Sequence, residues 1–358
     1  MEGRIVIKVG SNVLARKDGK LDHTRMSALV DQIVALRNKG KEVILVTSGA
    51  VACGRSMVET EGKLDSVQQR QLFSAVGQVR LINIYYNLFR DYGISIGQVL
   101  TMKDSFSTRK EYLNQRNCME VMLANGVIPV VNENDTISVT ELMFTDNDEL
   151  SGLVASMMDA EALVILSNID GIFDGAPSDP SSKVIRFVQP DADLSSYIQS
   201  GKSSFGRGGM LTKTSIAQKV AQEGIKVMIA NGKKDNILLD LFEDPQGTVH
   251  TEFVPSAQEV SSVKKWIAHS EGFAKGTVTV NRDAVSALLG NDAASLLLVG
   301  VTSVDGEFEE GDIIRILDPD GNAIACGKSS YSSEEAISCI GAHGVKPLVH
   351  YDYLYLEQ

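Results

Sequence analysis

The sequence predicts two domains, a doubly wound α/β domain on a mainly parallel sheet followed by a small β-barrel. Three observations carry this. Apolar, β-branched runs without polar alternation occur at Ile5–Val9, Val43–Val46, Ile128–Val131, Leu163–Leu166 and Val227–Ala230, as strands buried on both faces require. Helix-period stretches separate these runs, which is the order a parallel sheet with crossover helices produces. Beyond about residue 253 the pattern changes to short strands punctuated by turns.

Each element has a local cause. After the first strand, Met26, Leu29, Val30, Ile33 and Leu36 fall on one helical face, with Thr24 expected as N-cap and Gly40 as the C′ stop. Similar helical patterns cover Ser66–Arg90, Arg109–Asn125 before Gly126, and Thr212–Glu223 before Gly224. Val254–Phe273 is polar apart from Trp266-Ile267 and reads as a connector. The later strands are expected at Thr277–Val280, Leu296–Val299, Ile313–Leu317 and Ala323–Cys326, with Asp305-Gly306, Glu310-Gly311 and Asp320-Gly321 as turns. The expected boundaries are 1–253 for the first domain, 254–273 for the connector and 274–353 for the second domain.

Length and composition agree. A chain of 358 residues exceeds the size at which one core usually stops growing, and 43% apolar with 22% charged residues exclude global disorder. Its most apolar stretch, Gly152–Phe173, is broken by Asp159, Glu161 and Asp170, so no membrane span is expected. The N-terminus runs straight into a strand without a signal-peptide core, and Cys53, Cys118, Cys326 and Cys339 form no CxxC pair; both suit a cytoplasmic location. A net charge of −12 disfavours non-specific binding to nucleic acid or membrane surfaces.

In doubly wound sheets ligands bind beyond the carboxyl ends of the strands, so the segments there are the informative ones. The first strand ends in Lys8-Val9-Gly10-Ser11. Taken alone this tetrapeptide reads first as a tight turn with a solvated lysine; the functional reading is a glycine turn that lets backbone amides approach an anion, with the lysine as a point charge. The second ends in Thr47-Ser48-Gly49-Ala50, a second amide-rich turn before a helix. The third delivers Asn132-Glu133-Asn134-Asp135-Thr136, and Thr145-Asp146-Asn147-Asp148-Glu149 follows soon after. These two segments fit either solvated loops, with Asp146 or Asn147 capping the next helix, or a polar pocket that grips an amino acid. Ser167-Asn168 after the fourth strand is placed to line a nucleotide. Gly206-Arg207-Gly208-Gly209-Met210-Leu211-Thr212-Lys213 opens a helix and fits either a flexible surface loop or a phosphate cradle. Walker A, G-x-G-x-x-G and HExxH patterns are all absent, and the five histidines have no metal-ligand spacing.

Taken together and in this order, Lys8–Ser11, Thr47–Ala50, Asn132–Asp135, Asp146–Asp148 and Gly208–Lys213 resemble the amino acid kinase family. Leu296–Gly327 resembles a PUA domain, and the whole chain from about residue 4 to 353 is similar to family members that phosphorylate glutamate. The resemblance implies an amino acid kinase-like three-layer sandwich with a mainly parallel sheet, plus a C-terminal PUA-like barrel. It implies ATP-dependent phosphorylation of the γ-carboxylate of L-glutamate, with Mg²⁺ carried on the nucleotide. Lys8 and Lys213 would stabilise the transferring phosphoryl group and Asp148 would hold the two lysines. ATP would contact Lys8, Ser167, Asn168, Arg207, Gly208, Gly209, Met210, Leu211, Thr212 and Lys213. Where the family pattern leads one to expect Thr-Asp after the fourth strand, this chain has Ser167-Asn168. Ser48, Asp135 and Asn147 would bind glutamate, helped by amides near Gly49 and Asn134.

Asp135 bears on the choice among relatives. A free α-ammonium calls for a carboxylate partner, whereas an N-acetylated substrate would leave that carboxylate buried and unpaired, at a cost of a few kcal/mol. This argues against N-acetylglutamate kinase, and the absence of ACT-type domains argues against aspartate kinase. The resemblance also implies feedback inhibition by proline, a homo-oligomer (dimer or tetramer) and transfer of product to glutamate-5-semialdehyde dehydrogenase. A PUA-like domain raises RNA binding as an alternative, but residues 274–353 hold five basic and twelve acidic side chains, the wrong balance for a phosphate backbone.

Overall fold

The computed structural model describes residues 3–16, 18–138, 144, 146–177, 179–192, 210–257, 260–270, 273–290 and 294–356. The chain divides into two compact units, Met1–Ser105 with Leu113–Glu259, and Phe106–Tyr112 with Val260–Gln358.

The first unit is built from β1 (Arg4–Val9), α1 (Ser11–Leu14), α2 (His23–Asn38), β2 (Glu42–Thr47), α3 (Ala50–Arg55), α4 (Ser66–Arg90), β3 (Ile96–Thr101), α5 (Arg109–Ala124), β4 (Ile128–Glu133), α6 (Asn147–Met157), β5 (Ala162–Ser167), β6 (Phe187–Val188), α7 (Met210–Gln222), β7 (Lys226–Asn231), α8 (Ile237–Glu243) and β8 (Thr251–Phe253). The first turn of α5 belongs to the second unit. Among the described residues the strands form one sheet in the order β3-β4-β2-β1-β5-β7-β8-β6. Neighbours from β3 to β7 are all parallel, and only β8 runs against β7. The five apolar runs therefore become β1, β2, β4, β5 and β7, each within about two residues of its expected span.

Alternation along β1 sorts its side chains between two layers. Ile5, Ile7 and Val9 join the core formed with Met26, Leu29 and Ile33 of α2, Leu81, Tyr85 and Phe89 of α4, and Leu238 and Leu241 of α8. Lys8 points to the opposite face. β3 was not expected; its Gly97 and Gln98 and half-exposed edge position hide it from an apolar-run criterion. The cap of α2 is Asp22, not Thr24: its carboxylate accepts from the Arg25 amide at 3.1 Å, and Thr24 lies inside the first turn.

The second unit continues with α9 (Ser262–Ala268), β9 (Gly276–Val280), α10 (Arg282–Leu288), β10 (Val301–Gly306), β11 (Ile313–Leu317), β12 (Ala323–Lys328), α11 (Ser333–Ser338) and β13 (Leu354–Leu356). Its sheet order is β10-β9-β11-β12-β13, around a core that includes Val278, Leu298, Ile314, Ile316, Ala325 and Leu348. Leu296–Val299 is no strand; Leu298–Gly300 forms a 3₁₀ turn, and the strand begins after it at Val301. Within the expected connector, Ser261 caps α9, and the buried Trp266 donates its indole N–H to the Phe106 carbonyl at 3.0 Å.

The fold positions its candidate site through the packing of α3 on α4. A Cβ on Gly77 would stand 1.8 Å from the Ala50 carbonyl oxygen, and one on Gly54 would stand 1.8 Å from that of Phe73. Both contacts are with backbone, which has no rotamer to yield. Gly77→Ala is expected to destabilise the protein by about 1–3 kcal/mol, read as a fall in melting temperature, while Ala75→Ser on the exposed side of α4 leaves it unchanged.

Candidate active site

The side chains expected to carry chemistry gather where β1, β2 and β4 end and α6 begins. Asp146, in extended conformation, caps α6 by accepting from the amides of Asp148 at 2.7 Å and Glu149 at 3.3 Å. This fixes Asp148 in the first turn, where the positive end of the helix dipole favours a carboxylate. Asp148 has no solvent exposure. One of its oxygens pairs with Lys8 Nζ and the other with Lys213 Nζ at 2.6 Å. Lys213 also lies 3.9 Å from Asp146. The approach of α7 has a steric basis, because a Cβ on Gly152 of α6 would stand 2.6 Å from Ile216 Cγ2. Gly152 lies one turn beyond Asp148, and Ile216 one turn beyond Lys213.

The two acids of this cluster titrate in opposite directions. Burial alone would raise Asp148, but Lys8 and Lys213 outweigh it and hold the carboxyl down at about 2. Burial, reinforced by the charge of Asp148, pushes Asp146 up to about 6 against the pull of the same lysines.

Asn147, the residue between them, ties three segments together. Its amide nitrogen donates among the Thr47 carbonyl at 2.8 Å, Ser48 Oγ at 2.9 Å and Asn132 Oδ1 at 2.9 Å. Asn132 in turn donates to Gln78 of α4 at 2.8 Å. Gly49 at the start of α3 has φ +107, in the left-handed region that favours glycine. A pocket of about 510 Å³ opens here, with Ser48, Gly49, Arg70, Glu133, Asp135 and Asn147 on its wall.

The sequence reading did not single out Arg70. Its Nε donates to Asp135 Oδ1 at 2.6 Å and its terminal nitrogen to Glu133 Oε2 at 2.7 Å. The other oxygen of Glu133 accepts from Ser138 Oγ at 2.7 Å and the Phe144 amide at 3.0 Å. Burial pushes the Glu133 carboxyl above its ordinary range despite the Ser138 hydrogen bond and the Arg70 charge. Asp135 therefore has a cation before any substrate arrives. The expectation that an N-acetylated substrate would leave it unpaired does not hold, because Arg70 is already there.

Lys8, Lys213 and Asp148 thus form one ion cluster, and Ser48, Asp135 and Asn147 share one pocket. Ser167 and Asn168 lie at the end of β5, the strand beside β1. Met210, Thr212 and Lys213 stand in the first turn of α7. Arg207, Gly208 and Gly209, and the side chain of Leu211, lie outside the described residues.

Comparisons with known proteins give the family of the chain. The sequence pattern of the amino acid kinase family matches residues 3–231, and that of the PUA domain matches residues 276–351. A glutamate 5-kinase from Bacteroides thetaiotaomicron is 67% identical over 99% of this chain and 98% of its own. Another, from Chlorobaculum tepidum, is 49% identical over 99% and 97%. Among solved structures, carbamate kinase from Giardia lamblia bound to AMP-PNP superposes with a TM-score of 0.52 at 14% identity, covering 71% of this chain and 99% of that one, a likeness of fold. Among the described residues no helix is long and apolar enough to cross a membrane.

The titration of Asp146 gives a stability prediction. A carboxyl raised in the folded state contributes most below its unfolded value and loses that contribution as pH rises through about 6. Asp146→Asn keeps the cap oxygen and removes the charge. The variant should gain on the parent by on the order of 1 kcal/mol between pH 4.5 and 7.5, seen as a melting-temperature difference that moves in the variant's favour by a few degrees from the lower pH to the higher.

Proposed function

The chain belongs to the amino acid kinase family, and from that premise we propose that it phosphorylates the γ-carboxylate of L-glutamate with ATP, giving γ-glutamyl phosphate in the first step of proline synthesis. The observation that carries the reading is the pair of lysines pinned on one buried carboxylate. Phosphoryl transfer between a carboxylate and a polyphosphate asks little covalent chemistry of a protein. It asks that two mutually repelling anions be brought in line and that charge on the moving group be neutralised. Two ammonium groups converge on one fully buried carboxylate, with Asp146 at the edge, so both cations are fixed in place before reaction and need no reorganisation during it.

Each group has a role in this reading. The γ-carboxylate is already ionised at neutral pH and attacks without a general base. Lys8 and Lys213 bear on the transferring phosphoryl group, and Asp148 keeps them converged. Ser48, Asn147 and the amides near Gly49 hold the acceptor; Asn147 is suited to it because its hydrogen bonds already bind the ends of β2 and β4 to α6. Ser167, Asn168 and the segment Arg207–Lys213 take the nucleotide. Mg²⁺ arriving on ATP needs only one or two protein carboxylates; Asp146, partly buried at the edge of the lysine cluster, would help to hold it, and the ion would supply further charge neutralisation. The proposal extends to a cytoplasmic homo-oligomer inhibited by proline. Its acyl phosphate product hydrolyses readily, so it passes on quickly to glutamate-5-semialdehyde dehydrogenase.

The test is ATP turnover with L-glutamate, N-acetyl-L-glutamate, L-aspartate and UMP, trapping acyl phosphate with hydroxylamine. Turnover with glutamate alone is expected, and Lys213→Ala should lower kcat by on the order of 10²–10³. Preference for another acceptor overturns the substrate, and no turnover with any of them overturns the reading.

A further inference from the structure

We propose that Arg70 reads the α-carboxylate of the substrate, exchanging its contact with Asp135 for the zwitterionic head of the incoming amino acid. The inference rests on the glutamate-phosphorylating reading and deepens it. Arg70 lines the acceptor pocket, and its two acidic partners among the described residues differ in character. Glu133 is the fixed one: it is 4% exposed and anchored on its far side by Ser138 and the Phe144 amide. Asp135, beyond the end of β4 and 11% exposed, is the less buried of the two.

An ammonium arriving alone at Asp135 would meet the guanidinium beside it, positive against positive. An ammonium that brings a carboxylate on the same carbon resolves the conflict. The ammonium takes Asp135, the carboxylate takes the edge of the guanidinium facing it, and Glu133 keeps Arg70 in position throughout. A planar guanidinium suits this because its donors are fixed as a fork that matches a carboxylate. The pocket would thus select for a substrate with both α-groups free and charged. Arg55, the other guanidinium on the wall, stands over the ring of Phe73 at 5.7 Å and serves as the control.

The experiment is steady-state kinetics of the full chain with L-glutamate and with its α-amide, which keeps the ammonium and the γ-carboxylate. Where the α-amide is not turned over, its inhibition constant against glutamate is read instead. The parent should prefer glutamate by on the order of 10²-fold. Arg70→Gln should raise KM for glutamate by a similar factor with kcat nearly unchanged, move the α-amide by less than about threefold, and so collapse the preference. Arg70→Lys, which keeps the charge without the fork, should fall between and decides the matter if Arg70→Gln fails to fold. Equal losses for both compounds would reduce Arg70 to a support for Asp135 and overturn the proposal, as would collapse of the preference in Arg55→Gln instead. Absence of glutamate turnover in the parent chain is a different result and removes the reading on which the proposal stands.

Discussion

A carboxylate without solvent exposure, held between two ammonium groups, is the interaction on which the rest of the site depends. Burying Asp148 alone would cost several kcal/mol, and so would burying either lysine alone. Together they are tolerable only if Lys8, Asp148 and Lys213 arrive from three different elements at one point. The central strand, the first turn of α6 and the first turn of α7 are all fixed by this. Gly152 permits the approach of the helices, and the Asp146 cap fixes where α6 starts. The cluster is a poor way to gain stability, since apolar side chains of similar volume would do as well or better. Its place in the core is best understood as preorganisation of two ammonium groups at one point.

The acceptor side solves the opposite problem. Glu133 and Asp135 put two acids at the end of one strand, and without a counter-charge their repulsion and burial would drive protons onto them. Arg70 supplies that charge from α4, a helix that also packs on the apolar core, meets α3 along the two-glycine seam and accepts from Asn132 at Gln78. One helix therefore sets both the width of the pocket and its electrostatic balance. The amide of Asn147 joins this side to the lysine side, so the two halves of the site share a single framework of short contacts across the ends of β2, β4 and α6.

Much of this was legible in the sequence, for identifiable reasons. Strands buried on both faces leave an uninterrupted apolar signature, so β1, β2, β4, β5 and β7 were readable, and with them the places where ligand-binding turns must lie. The segments that hold Lys8, Ser48, Asp135, Asn147, Asp148 and Lys213 stood out because each is a polar or glycine-rich stretch where the apolar pattern stops, while the choice of residues within them came from the family resemblance. Other features gave no such signal. The edge strand β3 is half exposed and contains glycine, so it lacks the pattern. Asp22 and Thr24 are both good caps two residues apart, and only the path of the backbone decides between them. Trp266 sits in a polar stretch whose burial depends on the Phe106 carbonyl, more than 150 residues away. Arg70 is one of several arginines on an amphipathic helix, and nothing local distinguishes the one that meets two acids brought near by the sheet.

The seam between α3 and α4 has a further consequence, for how this site could change over time. At Gly54 and Gly77 main chain touches main chain, so neither position tolerates even a methyl group without moving a helix. The wall carrying Ser48 and Gly49 is therefore not open to gradual adjustment by side-chain volume, which is the commonest route by which pockets are widened or narrowed. Variation that preserves the fold is channelled into the polar lining instead, where a single exchange of charge alters what is accepted while the cavity keeps its dimensions. A lineage descending from this chain would be expected to acquire new acceptors in discrete electrostatic jumps, and only rarely by drift in size.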